Sequence, residues 1–317
     1  MAEIIKDKLT HTRFRGSLLG LAAGDALGTT LEFVPAGTFT PITDMVGGGP
    51  FNLNPGEWTD DTSMALCLAE SLIKVGGFDP IDQLERYVRW YRTGYLSSNG
   101  RCFDIGITTA DALHRYLRTH EPFPGPDAAH TAGSGSLMRL APVPMFYYRQ
   151  PIKVVQMCAD SSRTTHASTQ AVDACRYYGL LLVAALQGQP KDVLLSAPHT
   201  WGFLDKTIIN QLSDLDALIK EVASGSFKHK QPPIIQGSGY VVRGMEAALW
   251  AFYHSNSFKD GALLAANLGD DADTTTAIYG QLAGAYYGQQ GIPPEWISKL
   301  ALLDLLKNYA DKLFDLA

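Results

Sequence analysis

Trp58-Thr59-Asp60-Asp61-Thr62-Ser63-Met64-Ala65-Leu66-Cys67-Leu68-Ala69-Glu70-Ser71-Leu72-Ile73-Lys74-Val75-Gly76-Gly77 opens on hydroxyls and carboxylates and continues as an apolar run. Ala65, Leu68, Ala69 and Leu72 recur at helical spacing, which predicts a helix over 62–75 with one buried face. Gly76-Gly77 stops it. The same period returns over 84–92, 108–117, 169–186, 212–222, 241–252, 275–287 and 294–314. Alternating stretches are scarce, with Pro233-Ile234-Ile235 among the few β-branched candidates. The expected fold is therefore all-α, a compact helical bundle.

Gly- and Pro-rich clusters at 47–50, 122–126, 133–136 and 288–294 separate helices, and no change of composition marks a linker. One domain over 1–317 is expected, with its core at about residues 15–290. Gly16, Gly20, Gly24 and Ala26, and later Gly280, Gly284 and Gly288, leave small faces that allow helices to approach closely.

The chain has 26 basic and 32 acidic residues, a net charge of -6, which argues against nucleic acid as a partner. Its 46% hydrophobic content is ample for a core. Apolar runs such as 180–186 are shorter than the ~20 residues a membrane span needs. The charged start, Met1 to Lys8, lacks the pattern of a signal peptide, so a cytoplasmic protein is expected. Cys67, Cys102, Cys158 and Cys175 are spread apart without zinc-site spacing and read as reduced thiols.

Thr59-Asp60-Asp61-Thr62 has a counterpart in Asp270-Asp271-Ala272-Asp273-Thr274. Both precede helical patterns, so both can be read as helix caps. They can also be read as hard oxygen ligands for Mg²⁺ or Mn²⁺. The second reading requires the fold to join segments about 200 residues apart.

Five segments in order carry a resemblance: 16–28 with Glu32, 58–62, Gly135-Ser136-Leu137-Met138-Arg139, Thr165-His166-Ala167-Ser168, and 269–274. Together they resemble ADP-ribosylglycohydrolases, in the branch of dinitrogenase reductase-activating glycohydrolase, from about Arg15 to Gly288. The resemblance implies an all-α enzyme with two divalent cations that removes ADP-ribose from arginine on a protein. Serine-linked or other ADP-ribose conjugates are the alternative substrates, and a non-catalytic, crystallin-like relative is a third reading. The expected partners are the ADP-ribosylated protein and the product ADP-ribose, and a monomer is the expected state.

The same resemblance makes Thr59, Asp60, Asp61, Asp271, Asp273 and Thr274 the metal ligands. Asp270 falls outside them and is expected to cap the following helix or to support the ligands. Glu32 becomes the carboxylate that positions water or moves a proton, and Asp104 the one that meets the ribose or the leaving guanidinium. Gly133, Gly135 and Ser136 are expected to receive the pyrophosphate at the start of a helix, and His166 to line the nucleotide pocket. Ser134 stands where the family usually has Asn. Asp25 reads as structural, tying a Gly-rich helix start in place.

Overall fold

In the computed structural model, residues 2–317 are described, with side chains from Asp7 onward. Met1 and the side chains of residues 2–6, part of the charged start on which the cytoplasmic expectation rests, lie outside that description. Fifteen α-helices form among the described residues. The first half contains α1 (Ala2–Gly28), α2 (Asp60–Val75), α3 (Pro80–Thr93), α4 (Ile107–Thr119), α5 (Pro142–Phe146) and α6 (Pro151–Arg163). Next come α7 (Thr169–Leu186), α8 (Lys191–Leu194), α9 (Lys206–Asn210) and α10 (Ala217–Ala223). The chain ends with α11 (Val241–Tyr253), α12 (Phe258–Ala266), α13 (Ala272–Tyr287), α14 (Pro294–Lys299) and α15 (Leu303–Leu316). No strand forms among the described residues, and no helix is long and apolar enough to cross a membrane. The all-α expectation is met.

The axis of the fold is the antiparallel pair α1 and α13. A methyl carbon on Gly16 would lie 2.2 Å from the Gly284 carbonyl oxygen, one on Gly20 2.3 Å from that of Gly280, and one on Gly24 2.1 Å from that of Thr276. Gly28 continues the series at 2.3 Å from the Ala272 carbonyl oxygen. A glycine every four residues therefore forms a ridge of bare backbone along α1, and α13 presses against it. This register puts the end of α1 beside the start of α13, where Asp271, Asp273 and Thr274 stand.

Both ends of the chain join this axis. Arg15 on α1 forks onto Asp311 of α15, with Nε to Oδ1 at 2.6 Å and the second nitrogen to Oδ2 at 2.7 Å. Tyr309 of α15 donates to Glu70 of α2 at 3.0 Å. Helix α7, buried along almost its whole length, closes the core through apolar contacts and the Tyr178 hydroxyl, which donates to the Ile278 carbonyl. The helices expected over 62–75 and 169–186 are present, the latter with the same ends.

Four local expectations are corrected. The pattern over 212–222 does not run as one helix: α10 begins only after Asp216, whose carboxylate accepts from Leu218 N at 2.9 Å and caps it there. The 294–314 pattern is broken between α14 and α15. Leu302 turns left-handed there (φ 51°), and the Ala301 amide leaves the helical ladder to donate to Gly56 O at 2.9 Å. Pro233-Ile234-Ile235 forms turns rather than a strand. Asp25 lies near the end of α1, not at a helix start.

Candidate active site

The first turns of α2 and α13 face one another across a cleft of about 420 Å³. The cleft is lined by Glu32, Asp60, Asp104, Gly133, Gly135, His166, Asp271, Asp273 and Thr274 among others. Thr59 and Asp61 lie directly beneath, fully buried. Of the other residues expected at the site, Ser136 also stays off the cleft wall. It is buried behind the wall, with its hydroxyl 2.8 Å from that of Ser162.

The capping reading of the acidic clusters fails here. Thr59 and Asp271 occupy the N-cap positions of α2 and α13, yet neither side chain caps its helix. A residue from α1 takes that task for α2. Asp25 accepts from Thr59 N and Oγ1 at 2.8 and 3.0 Å through one oxygen, and from Thr62 N and Oγ1 at 3.0 and 2.6 Å through the other. The side chains of Thr59, Asp60 and Asp61 are thereby left for other work, and the partial positive charge of both helix starts points at the carboxylates.

Two groups of three acids form, and they share a member. Asp25, Asp61 and Asp273 each place a carboxylate oxygen within 4.8 Å of the others, and so do Glu32, Asp104 and Asp273. Both oxygens of Asp25 already accept two hydrogen bonds, so Asp25 supports the cluster from behind. By contrast, Asp61 Oδ1 and Asp273 Oδ1 are buried with no hydrogen-bond partner. Thr59 Oγ1 has one proton and three carboxylate neighbours, Asp25, Asp61 and Asp273, at 3.0, 3.0 and 3.3 Å. Orphaned buried carboxylate oxygens are costly, and here no lysine or arginine lines the cleft to offset them. This donor set fits a hard cation, and the clustered acids can hold a metal ion.

Acidity follows the same logic. Burial first, then mutual repulsion, raises Asp60, Asp61 and Asp273 far above the ordinary carboxylate range. Burial likewise lifts Asp25 and Asp271 to about 6, although hydrogen bonds from Thr62 and from Ser134 pull them back. Glu32 is 2% exposed and rises through burial, then through the charge of Asp104, to which it is hydrogen-bonded. Asp104 also rises, chiefly through burial. Two carboxyls so placed share a proton.

The loops that bring Glu32 and Asp104 in are held in unusual backbone states. Phe33, Asp104 and Asp270 are left-handed, with φ of 60°, 61° and 53°. Such residues cost on the order of 1 kcal/mol each, and they cluster where geometry serves function. Asp270 is exposed and does not cap α13. Its backbone pairs instead with the loop after Glu32, Phe33 N to Asp270 O at 2.7 Å and Asp270 N to Val34 O at 2.8 Å. Asp104 caps nothing either, since Gly106 holds the N-cap position of α4.

At the other end of the cleft the segment 133–136 runs into turns rather than the expected helix. No helix starts at this segment, and the Gly133 amide donates to Thr131 O at 2.8 Å. Ser134 N donates to Gly239 O at 2.9 Å, and the Ser134 hydroxyl lies 3.4 Å from Asp271 Oδ2. The residue that replaces the usual Asn thus still reaches the acidic cluster. Gly239, Phe33 and Ile107 also line the cleft and carry no sequence signal beyond their neighbourhood. His166 is buried and neutral, its acidity pushed to about 3 by burial and then by the charge of Arg139.

An all-helical bundle whose acids converge from four segments on one cleft, with buried carboxylate oxygens unpaired, makes the class of site that can hold a metal ion. The chain belongs to the ADP-ribosylglycohydrolase family, whose model matches residues 6–317. It is 46% identical over 305 residues to a Pseudomonas putida protein and 42% over 314 residues to a Serratia proteamaculans protein, both named ADP-ribosylarginine hydrolase Tri1. These alignments cover 96% and 99% of the chain and 78% and 82% of the relatives, respectively. The Rhodospirillum rubrum ADP-ribosyl-(dinitrogen reductase) glycohydrolase is more distant, 32% identical over 92% of the chain and 90% of that protein. A solved structure described as an ADP-ribosylglycohydrolase-related protein complex superposes with a TM-score of 0.84 at 41% identity, covering 98% of this chain and 99% of the other.

Proposed function

We propose that the protein is a metal-dependent hydrolase that cleaves the N-glycosidic bond between ADP-ribose and a modified arginine of a protein, releasing ADP-ribose and restoring arginine. The observation that carries this reading is the pair of acidic triads sharing Asp273 at the foot of the cleft. The relatives named as arginine hydrolases at 42–46% identity support the choice of bond.

In this reading Thr59, Asp60, Asp61, Asp271, Asp273 and Thr274 hold two divalent cations, Mg²⁺ or Mn²⁺, with Asp25 locking Thr59 in place. Bound cations would lower the pKa of a water and fix the vicinal ribose hydroxyls. Glu32 orients the attacking water and accepts its proton as the water oxygen bonds the anomeric carbon. The C–N bond pair departs with the arginine nitrogen, and the freed guanidine takes up a proton because its pKa lies above ~12. Asp104 faces the guanidinium, where a carboxylate and a planar fork make paired hydrogen bonds. Gly133 and Gly135 line the pyrophosphate end of the cleft, Ser136 supports that turn from behind, and His166 lines the nucleotide end. The chain acts as a single cytoplasmic domain and a monomer, which size-exclusion chromatography with light scattering checks.

The direct test incubates the purified protein and Mn²⁺ or Mg²⁺ with an ADP-ribosylarginine protein. Free ADP-ribose is the expected product, and no release at any metal concentration overturns the reading.

A further inference from the structure

Arg139 is wholly buried, and no carboxylate lies within 4 Å of its guanidinium among the described residues. A charge in that position is expensive, so what it holds is informative. One terminal nitrogen donates to Gly135 O at 2.8 Å. The other lies 2.7 Å from Thr165 Oγ1 and 3.4 Å from Thr164 Oγ1. The plane of the group rests over the Tyr87 ring at 4.6 Å, and the Tyr87 hydroxyl is itself fixed by Gln83 Nε2 at 2.9 Å.

Thr165 Oγ1 also lies 2.9 Å from His166 Nδ1, and this contact decides the histidine's tautomer. Arginine only donates, so Thr165 accepts from it. The Thr165 proton then needs an acceptor of its own. Thr165 is fully buried, and among the described residues the only acceptor within hydrogen-bond reach is Nδ1. Were Nδ1 protonated, the Thr165 proton would be stranded, at a cost of about 1–3 kcal/mol. Nδ1 therefore accepts, and the ring proton sits on Nε2. That nitrogen has no hydrogen-bond partner among the described residues and turns toward the cleft, within 3.1–3.2 Å of where methyl carbons on Gly133 and Gly135 would stand. A side chain at either glycine would cover it.

We propose that Arg139 is a positioning residue which, through Thr165, fixes His166 in the neutral Nε2–H form so that it donates one hydrogen bond to the anionic end of the ligand, while the same guanidinium sets the Gly135 turn beside it. The ligand in this statement rests on the reading of the cleft as an ADP-ribose site. Burial, and then the nearby positive charge of Arg139, keeps the ring uncharged, so the donor does not titrate near neutrality.

Nitrogen-15 NMR of the His166 ring in the full-length protein tests the relay without any ligand. A protonated Nε2 and a bare Nδ1 are expected, and in Thr165→Val a mixture of tautomers, with the Nε2–H form restored in Thr165→Ser. Calorimetric titration with ADP-ribose at saturating Mg²⁺ gives the second readout: about tenfold weaker binding for Thr165→Val, recovered by Thr165→Ser. A ring protonated on Nδ1 in the wild type overturns the proposal. So does a folded Thr165→Val with unchanged tautomer and affinity. If the wild type shows the expected tautomer but does not bind ADP-ribose, the reading of the cleft falls and the relay stands.

Discussion

Asp273 is the single carboxylate common to both acidic triads, and its unpaired Oδ1 sits among groups that all carry or share negative charge. Removing it should do more harm to cation binding than removing any neighbour. For Asp273→Asn we expect turnover to fall by at least ~10³-fold and cation affinity to fall in parallel, measured by ADP-ribose release and by metal titration. The metal-free fold should survive and even gain stability, because one of several mutually repelling buried acids becomes neutral. An equally active Asp273→Asn would remove the two-cation assignment. Asp25→Asn differs in kind. Both Asp25 oxygens serve the N-terminus of α2, so an amide there loses acceptor capacity on one side and should cost ~1–2 kcal/mol of stability in denaturant titration. Asp25 was legible in the sequence only as a structural acid, and it is one, though for α2 and not for its own helix. Arg139 was visible only as the end of a motif, because the absence of an acid around it is a property of the fold.

At the level of elements, the α1–α13 contact decides whether those residues meet. Four glycines inside α1 cost the isolated helix roughly 2–4 kcal/mol relative to alanine. The packed pair recovers this only because nothing intervenes between the backbones. Gly20→Ala, which would place a methyl carbon 2.3 Å from the Gly280 carbonyl oxygen, should therefore destabilise by ~3 kcal/mol or more, since backbone cannot step aside as a side chain can. Gly77→Ala is the control. Its new methyl would lie 3.6 Å from the Tyr147 hydroxyl, an ordinary contact, and should change the urea midpoint little. A neutral Gly20→Ala would show that α1 and α13 do not touch as described. The glycine spacing was readable as two small faces, and helix periodicity fixed the main elements. The partner of each face was not readable, because a small face matches any other small face. Where reading failed, a long-range contact had won over local pattern: Gly56 takes the Ala301 amide and breaks 294–314, and Asp173 fixes the Asp216 amide ahead of α10.

The whole molecule concentrates its electrostatic cost in one place. Two acids elsewhere are the ordinary case: Asp311, with Arg15 and His11, and Asp44, with Trp296, are held below the usual range and stabilise the fold once ionised. The cleft acids are the reverse case. Asp25 and Asp271 ionise near 6 when folded and near 4 when unfolded, and Asp60, Asp61 and Asp273 are raised further. Between those values the folded chain holds more protons than the unfolded one, so stability falls as pH rises through the window. Below about pH 4 the paired acids lose their contribution, and stability should fall there too. The metal-free protein should thus be most stable near pH 4 and lose several kcal/mol by pH 8, a loss visible as a lower thermal midpoint in calorimetry. A cation that binds only the folded, ionised cleft reverses the trend. At 100 times its dissociation constant it adds ~2.7 kcal/mol, and because protons compete with it the gain is greatest at high pH. Melts of the Asp273→Asn variant should lose most of the cation gain and keep much of the pH trend, because Asp25 and Asp271 owe their shifts chiefly to burial. A chelated wild type whose midpoint is flat from pH 5 to 8 would mean that the carboxylates do not crowd one another as described, and the case for a cation site at the junction of α2 and α13 would go with it.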